Sequence, residues 1–339
     1  MTFEHLDTDR KIISILKVLS DSPEPVGSRV IARNLKGYGV DLGERAVRYH
    51  LKLMDERGLT QFIGQIDGRT ITEKGRNEIK NALVKDKVGF AISRIEVLVF
   101  RTNFDYVNGK GLIPVNVSFF PRGKFGKALR VMKNAFESGL CVSQMVAVAD
   151  SGERLGELTV PADMIGLATV CSIVINGTLL KAGIPMNSKF GGILQLQNRQ
   201  PTRFTEIIYY SGSSLDPSEI FIKANMTSVR EAALTGNGEI LANFREIPAP
   251  CEHLARAVLQ GLRSAGLGGL LLMGNTSENI GEVAVDQNKI GMILIGGLNP
   301  VAAAREAGIE AENRSMSTVM EYRDLVTYDE ILKRAAQPV

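Results

Sequence analysis

Between Gly43 and Gly58 the chain reads GERAVRYHLKLMDERG, a segment with one face to bury. Written as a helix, it sets Val47, Leu51 and Met54 at i, i+4, i+7 on an apolar stripe. Arg45, Arg48, Tyr49 and Lys52 recur at i, i+3, i+4, i+7 on the opposite side. Such a helix must lie on an apolar floor with its cations outward. Three cations and a phenol there suit a recognition helix, because Lys and Arg neutralise phosphates and Arg also bonds guanine O6 and N7 in the major groove. The flanks predict the floor. Asp9–Ser20 is a first helix with Ile12, Leu16 and Leu19 inward, and Val26–Leu35 a second, after a turn holding Pro23 and Pro25. Gly37 and Gly39 end it, Gly43 is a tolerated N-cap for the third, and Glu44 complements the third helix's dipole. Leu59–Ile63 and Arg69–Ile71 read as strands around an Asp67-Gly68 turn, and Thr72 caps a fourth helix running to about Leu83. This order is a winged helix-turn-helix, with Arg69 on the wing near phosphate. The turn at Lys36–Leu42 is longer than the usual helix-turn-helix connection.

Charge is concentrated in this part. Residues 1–85 hold 15 Lys+Arg against 12 Asp+Glu, which accounts for the whole formal net charge of +3. So small an excess supports local phosphate contact, not a general polycation. The 339 residues leave room for two or three domains. The 3 cysteines, Cys141, Cys171 and Cys251, are without CxxC spacing and fit a reducing cytoplasm. No signal peptide is legible, and the uncharged run Met164–Leu180 is interrupted by Gly, Thr, Ser and Asn, so it reads as a buried strand with its flanks and not as a membrane span.

The larger part contains a duplication. Ala128–Leu140 and Ala255–Leu267 are helices ending in Gly-Leu, and each is followed by an apolar strand, Val142–Ala149 or Gly268–Met273. Gly-Glu-x-x-Val-x-x-x-x-Ile-Gly follows at Gly156–Gly166 and Gly281–Gly291. A second apolar strand (Ala168–Ile175, Met292–Ile295) and Ala-Gly-Ile complete each copy. The copies run over about 121–184 and 247–309. Two such units can pack about a pseudo-two-fold axis with a ligand crevice between them. The connector Pro185–Gly238 reads as lying outside the duplication, with Gly-Gly turns able to offer N–H groups to an anion. Val84–Arg101 predicts an amphipathic connecting helix with Val88, Ile92, Ile95 and Val99 on one face, a packed connector or a dimer seam.

No catalytic set emerges. The histidines are His5, His50 and His253; Cys251 with His253 is too small a metal site, and no P-loop, GxSxG or HExxH occurs. The fold class expected is α/β (α+β): a winged helix at 1–83, a connecting helix at 84–101, and an effector domain of two similar units at 102–330.

The series VRYHLKLMDERGL (47–59), ITEKG (71–75), KVGFAISRIE (87–96), NSKFGG (187–192), Arg203-Phe204, Leu215-Asp216-Pro217, MTSV (226–229) and ANFREIP (242–248) resembles NrpR, the archaeal family of nitrogen-assimilation repressors. The resemblance covers nearly the full chain. It implies a cytoplasmic, non-enzymatic repressor, a homodimer or higher oligomer, or one paired with a paralogous subunit. The partner would be double-stranded DNA carrying an inverted-repeat operator, and release would come from 2-oxoglutarate as effector, with no cofactor and no metal. Some members carry two effector domains; this chain has room for one. No ligand motif carries over. Chemistry alone shortlists Arg203, Arg245, Lys189, Ser188, Asn187 and Thr227 for a keto dicarboxylate, because it wants Arg forks, Lys and hydroxyls. The alternatives are a winged-helix regulator of another metabolite and a structural or adaptor protein.

Overall fold

The computed structural model describes residues 3–22, 24–38, 40–64, 68–82 and 87–336. Pro23, Gly39, Asp67, Leu83 and the start of the predicted connecting helix lie outside them. By its contacts the chain divides into two units, Met1–Val97 with Ser211–Ser214, and Leu98–Tyr210 with Leu215–Val339.

The first unit runs α1 (Phe3–Ser20), α2 (Ser28–Leu35), α3 (Glu44–Glu56), β1 (Thr60–Gly64), β2 (Gly68–Ile71) and α4 (Glu73–Asn81). Val47, Leu51 and Met54 are fully buried and join Leu16, Leu19, Ile31 and Leu35 in one core. The long turn between α2 and α3 is packed. Tyr38 and Val40 are buried in it, and the Tyr38 hydroxyl donates to Asp21 Oδ2 at 2.7 Å. The hairpin gains a third member, because Val26 and Arg69 exchange backbone hydrogen bonds of 2.8 and 3.1 Å. This explains Gly68: a Cβ there would sit 2.3 Å from the Val26 carbonyl oxygen. Thr72 caps α4 by accepting from the Gly75 N–H at 3.0 Å.

Helix α5 (Phe90–Arg101) contains the division between the units. Its buried face is Ala91, Ile95 and Leu98, whereas Val88, Ile92 and Val99 are half-buried. The predicted stripe is therefore turned by about one residue from the observed one.

The second unit begins β3 (Leu112–Pro121), α6 (Arg122–Glu137), β4 (Met145–Ala149), the small hairpin β5 (Arg154–Leu155) and β6 (Leu158–Thr159), β7 (Met164–Val170) and α7 (Ile173–Lys181). It continues β8 (Asn187–Gln197), β9 (Gln200–Tyr209), α8 (Pro217–Lys223) and α9 (Val229–Thr235). It ends β10 (Gly238–Pro248), α10 (Glu252–Ser264), β11 (Leu270–Thr276), β12 (Lys289–Ile295), α11 (Asn299–Glu306), β13 (Glu312–Glu321), β14 (Val326–Thr327) and α12 (Tyr328–Ala336).

Two five-stranded antiparallel sheets result, β13-β3-β7-β4-β14 and β11-β12-β10-β8-β9. Each repeat is β-α-β-β-α-β, a split βαβ arrangement. Its last strand joins the sheet of the other repeat: β8, from the first, pairs with β10, and β13, from the second, pairs with β3. The two repeats thus have the same strand order, with the fourth strands exchanged. Gly156 and Gly281 both have φ of 59° at matching turns.

Three expectations are corrected here. The duplication is longer than the helix-to-Ala-Gly-Ile segment, since β3 and β10 precede it and β8 and β13 follow it. The connector Pro185–Gly238 therefore opens with a repeated strand. NSKFGG is not a loop: Gly191 and Gly192 lie inside β8, where Cβ atoms would meet Pro217 at 2.9 Å and the Glu206 carbonyl at 2.5 Å. Ala168–Ile175 is not one strand, because β7 ends at Val170 and α7 begins at Ile173.

Candidate functional site

On α3, Arg45, Arg48, Tyr49 and Lys52 are all exposed, opposite the buried stripe. Gly43 precedes the helix with extended backbone and offers no side-chain cap. Glu44 serves instead as a tie: it accepts from Ser28 Oγ at 3.3 Å and lies 3.6 Å from Arg29 and 4.0 Å from Arg48. The tie fixes the start of α2 beside the start of α3. Arg29, which the pattern of α3 alone does not reveal, stands there with its side chain 89% exposed. Tyr49 on α3, and Phe62 and Ile63 on the wing, are large apolar groups left in solvent.

Arg69 differs from its expected place near phosphate. Its Nε donates to Asp55 Oδ2 at 2.7 Å, its guanidinium lies 5.0 Å from the Phe62 ring, and the other Asp55 oxygen accepts from Thr60 Oγ1 at 2.6 Å. It braces the wing against α3, so its charge is already spent on a carboxylate.

The shortlisted effector residues separate. Arg203 is exposed on β9, at the edge of its sheet, donating to Gln195 Oε1 at 3.2 Å. Lys189 is held between Glu246 at 3.3 Å and Asp286 at 2.7 Å, which raises its pKa, the Asp286 bond first. Thr227 donates to Glu306, whose carboxylate also accepts from the Val229 and Arg230 N–H groups that begin α9. Asn187 is exposed at the start of β8, and Ser188 is buried, accepting from Asn176 Nδ2 at 3.0 Å. Thr227 lines a cavity with Glu306 and Arg305, in which the other four have no part.

Arg245 is different. It stands on β10, 1% exposed, and its Nη2 donates to Ser172 Oγ at 3.1 Å. Its Nε and Nη1 meet no acceptor among the described residues. Burial lowers its pKa, against the opposing influence of Tyr210, Cys171 and Asp216. A cavity of about 20 Å³ adjoins it, lined also by Asn116, Ser172, Tyr210, Asp216 and Asn243. Asn243 Nδ2 donates to Ser172 Oγ at 3.2 Å, and the Tyr210 hydroxyl donates to Asn243 Oδ1. Asp216, buried, caps α8 by accepting from the Ser218 N–H at 2.8 Å. Burial, then the charge of Glu219, push its carboxyl up to about 6.

Of these residues, the sequence pointed to Arg245 alone. Asn116 and Asn243 carried a signal, since each stands five residues before the proline that ends its strand, Pro121 or Pro248. Ser172 had none. Burial pushes the Cys171 thiol up to about 11 and the Cys141 thiol up to about 12, away from the reactive thiolate. Among the described residues there is no group of three metal-ligating side chains and no helix long and apolar enough to cross a membrane.

Comparison with known proteins places this architecture. Residues 88–327 match the family of NrpR regulatory domains NRD1 and 2, and residues 13–79 match the Ribonuclease R winged-helix domain. The chain is 40% identical over 317 residues to the global nitrogen regulator NrpRI of Methanosarcina mazei, covering 94% of this chain and 97% of that one. It is 31% identical to the global nitrogen regulator NrpR of Methanococcus maripaludis and 33% identical to that of Methanocaldococcus jannaschii. These matches cover 95% and 94% of the chain, which spans 55% of the length of each of those two relatives. The crystal structure of a nitrogen repressor-like protein from Methanococcus jannaschii is similar with a TM-score of 0.60 at 26% identity, over 70% of this chain and 98% of that one.

Proposed function

The chain belongs to the NrpR family, and we propose that it is a transcriptional repressor of nitrogen-assimilation genes, binding double-stranded DNA through α3 and leaving its operator when 2-oxoglutarate binds the second unit. The observation that carries the DNA reading is the outward row Arg45, Arg48, Tyr49 and Lys52 over a fully buried Val47-Leu51-Met54 stripe. Arg48 and Lys52 reach bases and phosphates, and Arg29 at the start of α2 adds a phosphate contact. Arg45 stands at the end of α3 that enters the groove first. An inverted-repeat operator needs two such helices, so the active form is a homodimer or higher oligomer, or a pair with a paralogous subunit.

For the effector, Arg245 is the residue of the shortlist whose chemistry is uncommitted. A guanidinium donates strong charge-assisted bonds to carboxylate oxygens, and two of its nitrogens, Nε and Nη1, have no acceptor among the described residues. Arg203, Lys189 and Thr227 are engaged elsewhere or exposed.

The test is fluorescence anisotropy on a labelled duplex from upstream of a nitrogen-assimilation gene, titrated with 2-oxoglutarate at fixed salt. Binding to that duplex over a scrambled one, lost as 2-oxoglutarate rises, is the expected result. Equal affinity for both duplexes removes the operator reading; specific binding that 2-oxoglutarate leaves intact removes only the effector.

A further inference from the structure

A buried cation normally has its nitrogens filled, because desolvation leaves an unpaired charge with nothing to offset it. Arg245 breaks that rule at Nε and Nη1, and the residue lines the cavity. The cavity lies in the seam between the repeats. Asn116 of β3 and Asn243 of β10 hold equivalent places in it, and Ser172 comes from the segment leading into α7.

The seam is not symmetric. Ser118 on β3 occupies the position that Arg245 occupies on β10, being the cross-strand partner of Leu167 as Arg245 is of Met292. The second repeat therefore brings a cation to the cavity, and the equivalent place in the first brings none.

At about 20 Å³ the cavity has room for about one water and not for a dicarboxylate, so part of its wall must yield. Asp216 is the one carboxylate among the lining residues, and an entering anion would repel it. Tyr210 and Asp216 both line the cavity, yet of the five residues between them Leu215 belongs to the second unit and Ser211–Ser214 to the first. There the Ser213 carbonyl accepts from the Gly89 N–H at 3.3 Å, just before α5.

We propose that the cavity at Arg245 is a latent site for a small dicarboxylate, which accepts from Nε and Nη1 of the guanidinium and expels Asp216, and that the segment Tyr210–Asp216 is the part that moves. The proposal rests on the reading of the second unit as a carboxylate sensor; it adds the place, the built-in competitor and the responding segment. Ser172, Asn116 and Asn243 supply the remaining polar contacts. Movement of a segment that ends in the cavity and passes through the first unit gives ligand binding a covalent route to the DNA-binding unit. By linkage, operator DNA then opposes the ligand by the same factor that the ligand opposes DNA.

The experiment is calorimetry of the full chain with 2-oxoglutarate, without DNA, on wild type, Arg245→Met, Arg245→Lys and Asp216→Asn. Hydrogen exchange of residues 211–216 is followed in parallel. Arg245→Met should weaken binding more than 50-fold while keeping operator binding. Arg245→Lys, which keeps the charge and loses the fork, should fall between. Asp216→Asn, which keeps the cap of α8, should tighten binding at least threefold. Saturating ligand should speed exchange in 211–216 of wild type and leave Arg245→Met unchanged. Binding by both Arg245 variants within twofold of wild type puts the site elsewhere and leaves the repressor reading standing. Weaker binding by Asp216→Asn, or unchanged exchange in 211–216, overturns the expulsion. A wild type that binds its operator and no 2-oxoglutarate overturns the site and the effector reading together.

Discussion

Asn116 and Asn243 hold the same place in the two repeats, cross-strand from Thr169 and Leu294, and both turn into one cavity. Their duties have diverged. Asn116 Oδ1 accepts from the Met316 N–H at 2.9 Å, holding the bulged part of β13, where Met316 has a left-handed φ of 46°. Asn243 is fixed by Tyr210 and Ser172. Equivalent residues thus clamp β13 on one side of the seam and orient the partners of Arg245 on the other.

Contacts to bases and to phosphates have different signatures. Arg48→Ala should cost about 1–3 kcal/mol of operator affinity and relax sequence preference, as expected when a bidentate base contact is lost. Arg29→Ala should weaken specific and scrambled duplexes alike and reduce the salt slope by about one. Anisotropy at several salt concentrations separates them. A folded Arg48→Ala protein with wild-type operator affinity would remove α3 from the interface.

The wing brace is a matter of stability. Arg69 and Asp55 have side chains 18% and 24% exposed, so their bond is only partly screened. Either one changed to Ala should lower the stability of the first unit by about 1–2 kcal/mol, between the worth of an exposed ion pair and that of a buried hydrogen bond to a charged group. The double variant should lose less than the sum of the two. Urea melts of the four proteins measure the coupling. An Arg69→Ala variant that keeps its stability and loses a full unit of salt slope would restore Arg69 as a phosphate ligand.

Removing the under-bonded guanidinium of Arg245 should stabilise the protein. Arg245→Met should raise the thermal midpoint without ligand, since two nitrogens of the buried guanidinium meet no acceptor and their desolvation is not offset. Arg203→Ala, by contrast, should shift the half-maximal effector concentration by less than about twofold, roughly 0.4 kcal/mol. Calorimetric melting and effector titration check the two. A lower midpoint for Arg245→Met would mean that the cation holds the seam together.

Asp216 should make stability depend on pH. Its folded carboxyl is raised from 3.8 to about 6, by burial and then by Glu219, so the folded state holds its proton more tightly than the unfolded chain. Stability from this group is highest when it is protonated, declines as pH rises from about 4 to about 6, and is fully lost above that. The groups facing it are Arg245, Tyr210, Cys171 and Glu219. Wild type should therefore lose stability between about pH 4 and 6 relative to Asp216→Asn, and melting the pair across that range reads the difference. Parallel curves would mean that Asp216 titrates normally.

The duplicated turns should not tolerate a methyl group equally. Gly156 and Gly281 share the same left-handed φ. A Cβ on Gly156 would lie 2.6 Å from Thr318 Cγ2 and 2.8 Å from the Val319 carbonyl oxygen, whereas one on Gly281 meets the end of the Ile293 side chain at 2.9 Å. Both Ala variants pay about 1 kcal/mol or more for the backbone conformation. Gly156→Ala should cost more, because a strand backbone cannot swing aside as a δ-methyl can. Equal denaturation midpoints would refute the difference.

What could be read from the sequence followed the range of the forces involved. The two faces of α3 and the cap at Thr72 are set by neighbours three or four residues away, and they stand where periodicity puts them. The brace between Arg69 and Asp55 joins residues far apart along the chain, so Arg69 read as a free wing cation. Gly191-Gly192 read as a turn because glycine pairs usually are one; here they make room for Pro217 and β9 inside a strand. Arg245 was chosen for its chemistry, but its burial was invisible, since ANFREIP places an arginine in a strand without saying what covers it. The exchange of β8 and β13 had no local signal, because the sheet a strand joins is decided by distant partners.

That exchange makes half of the second unit an incomplete object. A fragment holding only the first repeat would leave the outer edge of β3 without β13 and would carry β8 with no β10 to receive it. Open edges with a spare strand invite pairing with another copy. Two identical fragments could satisfy one another, head against tail, by the reciprocal trade that the intact chain makes within itself. The smallest piece that can close its own hydrogen-bond ladders is therefore the tandem, and a domain boundary drawn between the repeats would cut through two sheets at once.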